Sequence, residues 1–232
     1  MHGLNKEFMA DPPAFMRKYA LDILNPSLTL GGTADQAPLS AGVYKFDLSL
    51  GENDRGRAIV GLFGAGGRHS HPIEAHWLPW KSGGTSELTL DNRAKFFFTA
   101  ALAGCRIQVA GTKVLHIAGD TKLVTKEIPR SWGKPFIQTS SAPLTSSDTD
   151  QAAGVAWRTG EAKEHLGAKF DPARKFSASD YGLGGYGFLA GYATHGVWLF
   201  VGQTLQEENG KLFVRSCTEL VGGEFAIPKA AV

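Results

Sequence analysis

The stretch Phe96-Phe97-Phe98-Thr99-Ala100-Ala101-Leu102-Ala103-Gly104-Cys105-Arg106-Ile107-Gln108-Val109-Ala110-Gly111-Thr112-Lys113-Val114-Leu115-His116-Ile117 decides the fold. Two runs rich in β-branched and apolar residues flank Ala110-Gly111, which reads as a two-residue hairpin turn. On that turn Val109 faces Thr112, Ile107 faces Val114 and Cys105 faces His116. Alternation puts Cys105, Ile107, Val109, Val114 and His116 on one mostly apolar face, with Arg106, Gln108, Lys113 and Leu115 on the other. Directly opposed residues hold their Cβ atoms about 4.5–5.5 Å apart, which brings a thiol and an imidazole close to hydrogen-bond reach. A one-residue slip would separate them onto opposite faces. The preceding run, Phe96 to Leu102, suits strand or helix by composition.

Working outward, further strands are expected at Val43 to Leu50, Ala58 to Phe63 and Ile73 to Trp80. Between them lie Gly51-Glu52-Asn53-Asp54 and the loop Gly64 to Pro72. Asn209-Gly210, between Gly196 to Gln206 and Lys211 to Leu220, is the strongest short hairpin signal in the chain. Asp11-Pro12 forms an N-cap and first-turn pair for one short amphipathic helix carrying Phe15, Met16, Tyr19, Leu21, Ile23 and Leu24, ended by Asn25-Pro26. A joint rich in Gly, Pro and Ser follows from Gly31 to Gly42. Thr139 to Gln151 reads as an exposed loop, and Glu161 to Ala168 as a short helix before Asp171-Pro172. No internal repeat or sharp composition shift appears, so residues 1–232 read as one mixed α+β domain. Residues 1–42 form an N-terminal helix and joint, and residues 43–232 form the core.

The 232 residues are 43% hydrophobic and 20% charged, enough for one sizeable core and incompatible with intrinsic disorder. With 24 Lys and Arg against 22 Asp and Glu, the net charge is +2. No long run of either sign offers a footprint for nucleic acid or membrane, so neither is an expected partner. Glu7 and Asp11 interrupt what a secretory signal would need, and no apolar run is long enough to span a bilayer. Two distant cysteines, Cys105 and Cys217, fit reduced cytosolic thiols better than a disulfide framework.

A thiolate is the nucleophilic form of cysteine, and an adjacent imidazolium lowers the thiol pKa; the same imidazole then protonates a leaving amine. Gly104 leaves room for an approaching substrate, and backbone N–H groups at Gly104 and Cys105 suit an oxyanion hole. On this reading Cys105 alkylates faster than Cys217, which has neither a preceding glycine nor a histidine at hairpin range. Pattern alone favours a buried core cysteine over a catalytic one.

Trp77-Leu78-Pro79-Trp80-Lys81, Phe97-Phe98-Thr99, Leu102-Ala103-Gly104-Cys105 and His116-Ile117 together resemble the core of the Burkholderia lethal factor family of glutamine deamidase toxins and, more distantly, the catalytic domain of the cytotoxic necrotizing factors. The shared mark is a Leu-x-Gly-Cys motif with a histidine on the following strand and, in part of the group, an upstream threonine. Lethal factor has serine where this chain has Ala103, and its cysteine-to-histidine connection is slightly longer. The match runs from Trp77 to Ile117.

The resemblance implies an α/β (α+β) layered sandwich of two mixed β-sheets flanked by helices and loops. It implies a Cys105–His116–Thr99 triad without metal or organic cofactor that turns glutamine into glutamate plus ammonia, and a monomer is expected. The implied substrate is a host translation-initiation RNA helicase or, second, a Rho-family GTPase; a bacterial chemoreceptor is third. Such a toxin would be made in the bacterial cytoplasm and delivered to the host cytosol. Transglutamination, peptide cleavage and a non-catalytic β-rich binding module are the other readings.

Three further motifs have plainer explanations. His69, His71, Glu74 and His76 lack a recognised metal spacing and read as solvated loop residues. Gly182-x-Gly184-x-x-Gly187 matches a dinucleotide fingerprint only literally and reads as a glycine- and aromatic-rich turn. Trp77 and Trp80 read as core packing before cleft wall, and Cys217 as structural.

Overall fold

The computed structural model describes residues 2–23, 39–52, 58–64, 71–81, 83–119, 123–128, 136–141, 148–182, 185–209 and 211–224. It is built mostly of strands. A curled mixed sheet contains β1 (Leu21–Ile23), β2 (Gly42–Glu52), β3 (Ala58–Gly64), β4 (Ile73–Leu78), β6 (Phe96–Thr99), β12 (Tyr186–Thr194), β13 (Val197–Glu208) and β14 (Lys211–Glu224). Its order is β1-β3-β14-β13-β12-β6-β4-β2, and β2 pairs with β3 as well as β4, so the sheet curls back on itself. A second sheet has the order β11-β7-β8-β5, from β5 (Thr85–Thr89), β7 (Arg106–Ala110), β8 (Lys113–Ile117) and β11 (Lys175–Ser177). Every pair in it is antiparallel, so only one of the two expected mixed sheets is mixed. β9 (Leu123–Ile128) and β10 (Phe136–Ser141) form a separate pair.

The hairpin forms, with a different turn. Ala110 pairs with Lys113, so the turn residues are Gly111 and Thr112, and Ile107 rather than Cys105 stands opposite His116. The physical reason is the position of the glycine. Gly111 has φ +63, and it takes the first of the two turn positions, where a side chain would be strained. Moving a turn by one residue moves the pairing by two, which preserves every face. Cys105, Ile107, Val109 and Val114 accordingly share one cluster with Phe97, Leu78 and Trp198 of the curled sheet. The opposite face, with Ala110, Leu115 and Ile117, packs on Ala162 and Leu166 of helix α3 (Asp148–Leu166). The second sheet thus lies between the curled sheet and α3.

The N-terminal helix is also corrected. Asp11 does cap a helix, accepting from the Ala14 N–H at 3.0 Å, but α2 (Pro12–Lys18) stops at Tyr19. Leu21 and Ile23 instead extend along Val60 and Leu62 of β3. Buried Gln203 secures that exchange, accepting from Leu21 N–H at 3.1 Å and donating to Tyr19 O at 2.6 Å. The earlier helix α1 (His2–Ala10) has no counterpart among the expected elements. Its buried Asn5 donates to Asp47 Oδ1 at 2.7 Å and accepts from Leu48 N–H at 2.8 Å, fastening it to β2. Phe8, Phe15 and Met16 then complete the core cluster on the other face of the curled sheet, with Phe46, Trp77 and Phe98.

Of the expected loop at residues 139–151, Thr139 to Ser141 are strand and α3 begins at Asp148, well before the expected Glu161; residues 142–147 lie outside the described residues, as do most of the joint at 31–42 and the loop at 64–72. The helix α4 (Ala178–Tyr181) carries a capping box from Ser177 and Asp180. The hairpin at Asn209 is present, with Glu208 paired to Lys211.

Candidate active site

Thr99 and His116 come from different sheets. β6 is a strand whose alternation turns Phe96 and Phe98 toward the first core and Phe97 toward the second. Thr99, on the same side as Phe97, reaches the second sheet: its Oγ1 lies 2.8 Å from His116 Nδ1. The same hydroxyl donates to the carbonyl oxygen of Leu78 at 2.8 Å. A hydroxyl has one proton, and the carbonyl can only accept, so Oγ1 must accept from Nδ1–H. This selects the neutral Nδ1–H tautomer and leaves Nε2 with a bare lone pair. Nε2 is buried and has no hydrogen-bond partner.

His116 is 0% exposed, and burial pushes its pKa down to about 3 from 6.5. Burial therefore favours the neutral imidazole at neutral pH over the expected imidazolium. A neutral imidazole with a free Nε2 is a proton acceptor in waiting.

Cys105 lies just ahead of β7, on the His116 face and diagonal to it rather than directly across. The thiol is 3% exposed, and burial raises its pKa. Opposing that are the N–H groups of Gly119 and Ala103, the charge of Arg158 and the indole of Trp80, all of which favour the thiolate. The turn that delivers them is tight. Gly104 has φ +81, and a Cβ on Gly119 would sit 2.7 Å from Gly104 O and 2.8 Å from Cys105 N. Tyr181 Oη donates to Cys105 O at 2.7 Å, holding that peptide from α4. Ala103 is exposed and Gly104 and Trp80 are half-buried, so the sulfur lies one layer beneath the surface.

The structure thus brings Thr99 and His116 into direct contact and puts Cys105 on the sheet face that His116 shares, with Gly119, Ala103, Arg158 and Trp80 as the groups acting on its sulfur. Sequence reasoning missed Arg158, Gly119 and Tyr181, which arrive from distant segments. Trp80 turns toward the thiol, whereas Trp77 is fully buried against Phe46, with ring centroids 5.9 Å apart. His76 is a correction: it is 0% exposed on β4, with Nε2 3.2 Å from Asp91 O, rather than solvated in a loop. Among the described residues no cluster of His, Cys, Asp and Glu could hold a metal ion, and no helix is long and apolar enough to cross a membrane. Gly182 ends α4 and Gly187 lies within β12, where a Cβ would meet Tyr181 and Phe176. Cys217, half-buried on β14, has its sulfur 3.5 Å from Met16 O, remote from Cys105 in the fold.

Compared with known proteins, the chain matches no family model and no curated relative.

Proposed function

We propose that this protein is a cysteine-dependent protein glutamine deamidase. The observation that carries the proposal is the Thr99–His116 bond, 2.8 Å long, which leaves a bare imidazole Nε2 on the face that also bears Cys105. Nε2 takes the thiol proton as sulfur attacks the carboxamide carbon of a glutamine side chain. The negative oxygen is met by backbone N–H groups of the Gly104–Cys105 turn. The imidazolium, its Nδ1–H still donating to the Thr99 oxygen, returns the Nε2 proton to the departing nitrogen, which leaves as ammonia. Water, deprotonated by the same Nε2, then hydrolyses the thioester to glutamate and frees the thiol. The residues need no metal or organic cofactor for these steps.

Conversion of a neutral amide to a carboxylate adds a charge to a partner protein without cutting it, which suits a toxin delivered to a host cell. The resemblance around Cys105 makes a translation-initiation RNA helicase the first substrate class and a Rho-family GTPase the second. A monomer suffices, since all three residues lie in one chain.

One observation favours a second reading, a non-catalytic β-rich binding module: Cys105, His116 and Thr99 are 3%, 0% and 0% exposed. Host-cell extract incubated with the wild-type chain or with Cys105→Ala decides between them. Glutamine-to-glutamate conversion in one or a few proteins, only with wild type, supports deamidation. Cross-links indicate a transglutaminase, new termini a peptidase, and identical samples a binding module.

A further inference from the structure

We propose that Arg158 is a positioning residue for Cys105: its guanidinium anchors the Gly119 peptide against the Gly104–Cys105 turn, keeping the Gly119 N–H aimed at the sulfur, and brings a fixed positive charge to the thiolate. The inference rests on reading Cys105 as a nucleophile.

Arg158 is on α3, the helix covering the far side of the second sheet, yet only 5% of it is exposed. Its Nη1 donates to Gly119 O at 2.8 Å in a buried setting. Gly119 follows β8 and runs so close to the Gly104–Cys105 peptide that no side chain fits. Its N–H faces the Cys105 sulfur. A guanidinium is planar, always charged and able to donate several hydrogen bonds at once, so one end can hold a carbonyl while the charge acts on a neighbour. Burial holds His116 toward its neutral form, whereas the guanidinium keeps its charge.

Charged and titratable groups around Cys105 come from several elements. β8 contributes neutral His116, α3 contributes Arg158, and α4 contributes Tyr181, whose hydroxyl is bound to Cys105 O and whose own ionisation is pushed up by burial. The turn after β4 contributes the uncharged indole of Trp80, and Thr99 of β6 is bound to His116. The neighbouring Arg106 turns to the α3 face, where it donates to Gln108 Oε1 and, at 3.0 Å, to Thr159 Oγ1. Among the described residues, Arg158 is the cation whose charge lowers the thiol pKa.

The test needs no substrate, so its failure and a failure of the deamidase reading are separate. In a Cys217→Ser background labelled with 13Cβ-cysteine, the carbon shift of the single remaining cysteine titrates Cys105 alone. Arg158→Met should raise the titration midpoint by about one pH unit or more, the size expected for loss of a nearby opposite charge. Arg158→Lys should recover at least half of that shift. A merely structural arginine would leave the midpoint where it was. Should Arg158→Met not melt cooperatively, Arg158→Gln, which keeps an N–H for Gly119 and loses only the charge, carries the same expectation. An unmoved midpoint in a folded charge-free variant overturns the proposal, as does a Lys variant shifted as far as Met.

Discussion

The hydroxyl of Thr99 donates to Leu78 O and accepts from His116 Nδ1, both at 2.8 Å, so a single proton on one side chain selects the imidazole tautomer. This bond joins the curled sheet to the second sheet at the point where Cys105 enters β7.

Thr99→Val keeps the shape and removes the acceptor for Nδ1–H. The unpaired buried donor should destabilise the fold by about 1–3 kcal/mol. The deamidation rate should fall about tenfold or more, because the tautomer is no longer fixed. Thr99→Ser should retain most of both. Urea denaturation and rate measurements on the two variants check this, and a Val variant as active as wild type would leave position 99 with no side-chain role.

Acid stability reports on His116. Its folded pKa, about 3, lies below its usual 6.5, so the unfolded chain binds a proton that the folded chain refuses. Stability contributed by neutral His116 is complete above about pH 6.5 and drains away as pH falls toward 3, at a slope of up to about 1.4 kcal/mol per unit. His116→Gln should flatten that part of the slope. Urea midpoints of both proteins across this range measure it; His76, also depressed by burial, is common to both and cancels. Equal slopes would contradict a buried neutral His116.

Gly119→Ala pushes a methyl group into the Gly104–Cys105 backbone, which cannot swing aside as a flexible side chain would. A loss of about 1–3 kcal/mol is expected, together with a displaced nucleophile. Chemical denaturation gives the first quantity and ammonia release the second. A variant of wild-type stability would mean that the two glycine segments are not packed as described.

Thiol accessibility reverses the order expected from sequence. Cys105 is 3% exposed and Cys217 is half-buried, so iodoacetamide should reach Cys217 first in the native protein. Trp80→Ala, removing a half-buried indole from the sulfur, should accelerate Cys105 alkylation several-fold. Peptide mapping over time follows both sites. Faster native modification of Cys105 would indicate an opening that exposes it.

The sequence carried the faces of the β7–β8 hairpin because alternation survives a two-residue change of register, whereas the Thr99–His116 contact was anticipated only through the resemblance and not by any spacing. It did not carry the direct pairing, since Ala110-Gly111 and Gly111-Thr112 are both acceptable turns and only the positive φ of Gly111 selects between them. Arg158, Gly119 and Tyr181 were illegible for another reason. Their roles arise from contacts to segments 39 and 76 residues away, Arg158 to Gly119 and Tyr181 to Cys105, which no local pattern encodes. Leu21 and Ile23 fitted the apolar stripe of a helix and equally the alternation of a strand; the open edge of β3 and the amide of Gln203 decided for strand.

Trapping the acyl group on Cys105 tests the deamidase account most directly. Hydroxylamine added to host-cell extract with the wild-type chain intercepts a thioester and leaves a hydroxamate on the attacked glutamine, readable by mass spectrometry of the substrate peptide. The account predicts hydroxamate at the same glutamine that becomes glutamate without hydroxylamine, and neither product with Cys105→Ala or His116→Ala. Glutamine conversion that persists undiminished in Cys105→Ala, or an extract in which wild type alters no glutamine at all, would contradict it.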